Sequence, residues 1–147
     1  MEKENKLKML QYFYAGVMVD ALSNYENFGI TAEVTDKKRL EQVKSAKAQL
    51  EQLAIHSPEE LFDTFSQLFG CVEWKLEKKE DCLDALAYGC LLCTMAKKKG
   101  TPRPCNMYCI QPLEALASAF ETSWNLQVIQ TLWEGNRCHF HLEPQES

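Results

Sequence analysis

Four cysteines fall into two close pairs: Cys90 and Cys93 enclose two residues, Cys105 and Cys109 enclose three, and eleven residues separate the pairs. Two thiol pairs on two short turns are the general pattern of a tetrahedral four-thiolate site, holding zinc or, second, an iron–sulfur cluster. The spacing departs from a zinc ribbon, which keeps two residues inside each pair and a longer interval between them. A C-x3-C pair suits a helix, where positions four apart share a face, or a loop around Asn106. The same stretch carries Lys97, Lys98, Lys99 and Arg103 and no acid. Cations favour a thiolate, so a reactive cysteine or transient disulfide is the second chemistry open to these residues. The third reading is packing, since free cysteine behaves as a small hydrophobe. The basic run is a solvated face or an attractor for an anionic small molecule that the rest of the chain would repel.

Three further cysteines stand apart. In Arg137-Cys138-His139-Phe140-His141-Leu142, strand alternation sets Cys138, Phe140 and Leu142 on one face and His139 and His141 on the other. Two histidines two apart on a strand can chelate a metal, although near a chain end such pairs more often face solvent. Cys71 and Cys82 flank a predicted hairpin and read as packing residues. Asp20 and Tyr25 on the first helix could line a pocket, although Asp20 more often simply faces solvent. No Gly-rich phosphate loop or G-x-S-x-G elbow occurs, and His56, His139 and His141 lack the context of a serine triad. No general base stands out.

The elements that must position these groups follow from periodicity. Leu7, Leu10, Tyr14, Val17 and Ala21 form one helical stripe over residues 6–28, ended by Gly29 as a left-handed cap. A connection over 30–35 leads to a second helix, capped by Thr35 or Asp36, whose stripe is Leu40, Val43, Ala46, Leu50 and Leu53. Ser57-Pro58-Glu59-Glu60 is a capping box with proline at the first helical position, and the helix it opens stops at Gly70. Alternation over 71–77 predicts a strand returning as 82–88. A short helix and an irregular loop follow over 89–109, then a helix over 112–120. A closing hairpin joins 126–133 to 137–142, with Gly135 supplying a positive φ. The order predicts an α+β fold: an antiparallel sheet of about four strands covered on one face by helices. It reads as a single domain over 1–147, with a helical arm or hairpin at 1–56 and an α+β ligand-binding core at 57–147.

Composition bounds what such a domain can do. The chain has 147 residues, 46% of them hydrophobic, enough for a core without disulfide staples. The net charge of −5 argues against nucleic acid, whose binders neutralise phosphates. No apolar run approaches the roughly 18 residues that span a membrane. The opening Met1-Glu2-Lys3-Glu4-Asn5-Lys6 has no apolar leader. Seven cysteines, an odd number, are therefore expected to be reduced thiols in the cytoplasm. The first helical stripe would pair two copies in a homodimer or pack against the second helix.

Three segments carry a resemblance. Gly89-Cys90-Leu91-Leu92-Cys93, Pro104-Cys105-Asn106-Met107-Tyr108-Cys109 and the closing Thr131-Leu132-Trp133-Glu134-Gly135-Asn136-Arg137-Cys138-His139-Phe140 resemble the L-2-amino-thiazoline-4-carboxylic acid hydrolase family. More distantly they resemble small-molecule-binding domains related to bacteriochlorophyll 4-vinyl reductase. The resemblance spans roughly residues 60–143. Here the hairpin is one residue tighter after Gly135, and Asn136 stands where an Asp is usual. It implies a ligand pocket between sheet and helices and hydrolysis of a C–N bond in a small cyclic amidine. Cys105, Cys109 or Cys138 would then act as nucleophile, and Lys97, Lys98 or Arg103 would hold the substrate carboxylate. Cys90, Cys93, Cys105 and Cys109 would be the metal ligands if zinc is bound. The alternative is a non-catalytic sensor that binds an apolar or anionic small molecule or a metal.

Overall fold

Alternation of apolar and polar residues builds the sheet. Among residues 1–145, which the computed structural model describes, the strands are β1 (Lys75–Lys79), β2 (Cys82–Ala87), β3 (Trp124–Gln130) and β4 (Cys138–Pro144). They pair antiparallel in the order β1-β2-β4-β3, so the two sequence hairpins join through β2 and β4. Leu83, Ala85, Cys138, Phe140 and Leu142 face inward and are buried. The fold is α+β, as the order of elements predicts.

The first hairpin is shorter than alternation alone suggests, and the second is displaced from the predicted segments. Val72 and Trp74 are buried, but they precede β1, and Val72 makes only an isolated bridge to Cys90. The turn is Glu80-Asp81, with Glu80 in the left-handed region at φ 53. Strand β3 ends at Gln130, after a register shift that follows Val128. There the Thr131 backbone N–H donates to Glu134 Oε1 at 3.1 Å and folds the chain out of the ladder. Gly135 does not have the expected positive φ. A Cβ there would overlap the Gln130 side chain, which would have to shift.

Five α-helices, counted among the described residues, lie on the inner face: α1 (Lys3–Asn27), α2 (Thr31–Gln52), α3 (Pro58–Phe69), α4 (Leu91–Lys99) and α5 (Gln111–Ser118). The Ser57 hydroxyl accepts from the Glu60 N–H at 3.2 Å, and the Glu60 carboxylate accepts in return from the His56 N–H at 2.8 Å. Gly29 and Gly70 take the left-handed conformation that ends α1 and α3. The link between α1 and α2 is shorter than predicted. Thr35 lies inside α2 with its hydroxyl on the Thr31 carbonyl at 2.6 Å, so it is no cap.

Helix α1 buries a different face from the expected one, whereas α2 buries Ala46 and Leu50 of its predicted stripe. Helix α1 rests on α4 through Ala15, Met18, Val19 and Leu22, with Gly16 beside the Met95 methyl. Leu7, Leu10 and Val17 of the predicted stripe are 48%, 67% and 65% exposed. Helix α2 lies on α5 through Ala46 and Leu50, while Leu40 and Val43 face solvent. Docking partners, not the largest side chains, set these faces: small residues let α1 approach α4 closely. The core beneath is aromatic. Trp74 contacts Phe62 at 5.2 Å and Phe140 at 5.0 Å between ring centroids. Each such aromatic pair contributes about 0.5–1.5 kcal/mol beyond area burial.

Candidate functional site

A cavity of about 240 Å³ opens between α1, α2 and the core. Its walls include Cys71, Cys90, Cys93, Cys105, Cys109 and Cys138, all of the cysteines but Cys82. The five cysteines of the cluster and the closing hairpin thus meet at one place. Cys71, read as packing, joins them from the segment after α3.

Local structure explains each placement. Cys90 is the N-cap of α4, and its sulfur accepts from the Cys93 N–H at 3.4 Å. One turn on, Cys93 points to Cys105, with sulfurs 3.8 Å apart. Cys105 and Cys109 flank neither a plain loop nor an α-turn. The chain over Asn106–Ile110 is a π-helical turn that runs directly into α5, a local widening that recurs at functional sites. Cys138 opens β4 and accepts from the Leu132 N–H at 3.3 Å.

These thiols are electrostatically unequal. The Cys93 thiol, followed by Arg103 and Thr131, holds Cys105 down to about 6 against the opposing effect of burial. Cys90 is also lowered, by Cys93 and by the Leu92 and Cys93 N–H groups of the helix end. Cys93 itself is raised, because its proton serves Cys105 and Cys90. Burial pushes Cys71 and Cys138 up to about 11 and Cys109 well above the ordinary thiol. Cys105, followed by Cys90, is therefore the cavity thiol most readily ionised, while Cys71, Cys93, Cys109 and Cys138 are held protonated.

The metal reading fits in part. Thiolates about 2.3 Å from a tetrahedral zinc lie somewhat under about 4 Å from one another. The Cys93 and Cys105 sulfurs, 3.8 Å apart, meet that requirement. Among the described residues, however, no three cysteines bring their sulfurs within 4.8 Å of one another. Cys90, Cys93, Cys105 and Cys109 share a cavity without closing into a tetrahedron.

The polar groups are not those the sequence nominated. Lys97 donates to the Leu132 carbonyl at 3.1 Å and lies over Trp133 at 5.3 Å, and neither it nor Lys98 lines the cavity. Lys99 pairs with Asp20 at 3.4 Å. Arg103 stands behind the wall, donating to Thr131 Oγ1 at 3.4 Å and favouring the Cys105 thiolate. Thr131 in turn donates to Glu134 Oε2 at 2.5 Å, so the closing loop braces the Cys105 side of the cavity. The lining cation is Lys38 of α2, over the Tyr108 ring at 5.7 Å, with Gln42 one turn on. Gln42 Nε2 donates to the Met107 carbonyl at 3.4 Å, and its buried Oε1 has no partner. Lys38 lies in a Lys-Lys-Arg run that looks like a solvated face, and no sequence signal marks Gln42. Asp20 and Tyr25 do not line the cavity.

Both histidines face the other side of the sheet, as alternation predicts. They share one oxygen of Asp84: His139 Nε2 lies at 2.8 Å and His141 Nδ1 at 2.9 Å. Cys82 is there too, on the outer face and not in the core. Cys82, His141 and Glu143 bring their ligand atoms within 4.8 Å of one another. No helix among the described residues is long and apolar enough to cross a membrane. Compared with models of protein families and with curated proteins, the chain matches none.

Proposed function

We propose that the cavity binds a compact small molecule and that the protein acts on it through Cys105. The substrate we infer is a cyclic amidine bearing a carboxylate, such as 2-amino-thiazoline-4-carboxylate, and the reaction is hydrolysis of its C–N bond. The observation that carries this reading is the meeting, in one cavity, of the readily ionised Cys105, the Lys38 cation and an unpartnered Gln42 oxygen. Lys38 takes the carboxylate. Gln42 Oε1 accepts an amidine N–H, which satisfies a buried acceptor that otherwise costs about 1–3 kcal/mol. Cys105 adds to the amidine carbon, and the ring C–N bond breaks as its nitrogen takes a proton. Water then adds to the same carbon and expels the Cys105 thiolate, leaving the ring-opened carbamoyl product. Among the described residues no histidine or carboxylate lines the cavity, so proton transfer falls to Cys90, whose lowered pKa brings it nearer the range useful for general acid–base work. The resemblance of the thiol segments to amino-thiazoline carboxylate hydrolases supports the same chemistry.

The test is incubation of reduced protein with 2-amino-thiazoline-4-carboxylate, with product measured directly. Turnover should rise through pH of about 6 as Cys105 ionises, because protonation below that value removes the nucleophile. Cys105→Ser should abolish it, and Lys38→Met should raise KM more than it lowers kcat. Absence of turnover at every pH from about 6 to 9 would sink the hydrolase reading.

The second reading is a non-catalytic module, favoured by the Cys93 and Cys105 sulfurs lying 3.8 Å apart. That separation suits a shared zinc ion or, after a small approach, a reversible disulfide. Metal analysis and thiol counting before and after reduction distinguish these from turnover. Seven free thiols support a reducing, cytoplasmic setting. The exposed Leu7, Leu10 and Val17 support pairing of two copies through α1, which light scattering of a truncated chain tests.

A further inference from the structure

The outer face of the sheet carries a second constellation, on the side opposite the cavity. Strands β2 and β4 set Asp84 across from His141, and the same register places Cys82 at the level of Glu143. Side chains two apart on each strand share a face, so Cys82 and Asp84 meet His139, His141 and Glu143 there. The contacts within the group are directional. His141 places Nδ1 2.9 Å from Asp84 Oδ1 and Nε2 3.9 Å from Glu143 Oε2. An imidazole whose Nδ1–H donates to a carboxylate keeps its lone pair on Nε2, the tautomer that binds metal. A carboxylate on the far nitrogen is also the usual outer support of a metal-bound histidine, fixing the ring and raising its basicity.

We propose that Cys82, His141 and Glu143 form a binding site for a divalent transition metal, best matched by zinc, with Asp84 orienting His141. One sulfur, one nitrogen and one carboxylate oxygen are a ligand set zinc accepts, and three protein ligands leave the fourth position to water or an anion. The three ligand atoms already lie within 4.8 Å of one another. The Glu143 side chain, 57% exposed against 28% for His141, has room to turn toward an ion. His139 is a support and not a ligand. Its Nε2 is engaged by Asp84, and its Nδ1 is buried without a partner. The site is independent of the cavity and of the reaction proposed there.

Cobalt(II) serves as the reporting probe, because a thiolate ligand gives it a charge-transfer band and a tetrahedral field intensifies its visible absorption. Reduced full-length protein titrated with cobalt, then competed with zinc, should show one equivalent bound with thiolate character. Cys82→Ser should remove the charge-transfer band. His141→Gln should abolish stoichiometric binding, and Asp84→Asn should weaken it about 10–100-fold. The double variant Cys93→Ser, Cys105→Ser should leave the cobalt spectrum unchanged. Circular dichroism of each variant checks that the sheet is intact. The proposal is overturned if no equivalent binds. It is equally overturned if binding survives Cys82→Ser and His141→Gln but disappears in the double variant, which would move the metal to the cavity.

Discussion

Strand β4 serves both faces of the sheet, and the two faces put the same chemical group to different uses. Its inward row, Cys138, Phe140 and Leu142, is buried beside the aromatic core and the cavity. Its outward row, His139 and His141, is half-buried and tied to Asp84. On the inner side, burial keeps most thiols protonated, and the Cys93 contact, backed by Arg103, makes Cys105 the most readily ionised. On the outer side, Cys82 is raised by desolvation and by Glu143, Asp81, Asp84 and Glu80. The inner thiolate is prepared by donors within the protein, whereas the outer thiol needs a cation to release its proton. A thiol's state is therefore a property of its neighbours, and one strand separates two such environments by the direction its side chains point.

The largest way to break this comparison is to damage the inner face. Phe140 is 1% exposed and packed on Trp74. Phe140→Ala should cost about 3–5 kcal/mol of stability, read by denaturant unfolding. The outer face should respond less. Asp84→Ala leaves both histidines without their acceptor. The expected cost there is about 1–3 kcal/mol by the same measurement. Its pH dependence sharpens the contrast. The hydrogen bond from His139, reinforced by His141, holds the Asp84 carboxyl below its ordinary value of 3.8. A depressed carboxylate contributes stability that is present above the unfolded value and lost as pH falls through the lower, folded one. Acid unfolding of Asp84→Ala should accordingly show a shallower loss below pH 3.8 than the parent protein. The smallest effect belongs to neither face. Leu10→Gln on α1 alters a side chain that is 67% exposed. Denaturant unfolding should register a change of less than about 0.5 kcal/mol for this substitution.

Legibility differed between halves of the chain for a physical reason. In β2 and β4 a period of two leaves one choice of inner face, so Cys138, Phe140, His139 and His141 were assigned correctly. In α1 nearly every face carries some apolar residue. Periodicity selected Leu7, Leu10 and Val17, whereas docking on α4 selected Ala15, Met18, Val19 and Leu22. The cavity's polar groups were hidden for another reason: Lys38 and Gln42 continue the row of Ala46 and Leu50 toward the start of α2, where polar side chains add nothing to an apolar stripe. The cysteine cluster was visible from spacing, but Cys71 was not, because its approach to Cys90 depends on the bridge beside Val72.

The sequence by itself determined that two hairpins and several capped helices form, because caps, left-handed glycines and alternation act within a few residues. It also determined which strand residues share the inner face of the sheet. Only the tertiary structure decided that six cysteines share one cavity and that Cys82 joins His141 and Glu143 outside it. Convergence of that kind depends on contacts between segments distant in the chain. Local propensities leave such contacts open, and packing closes them.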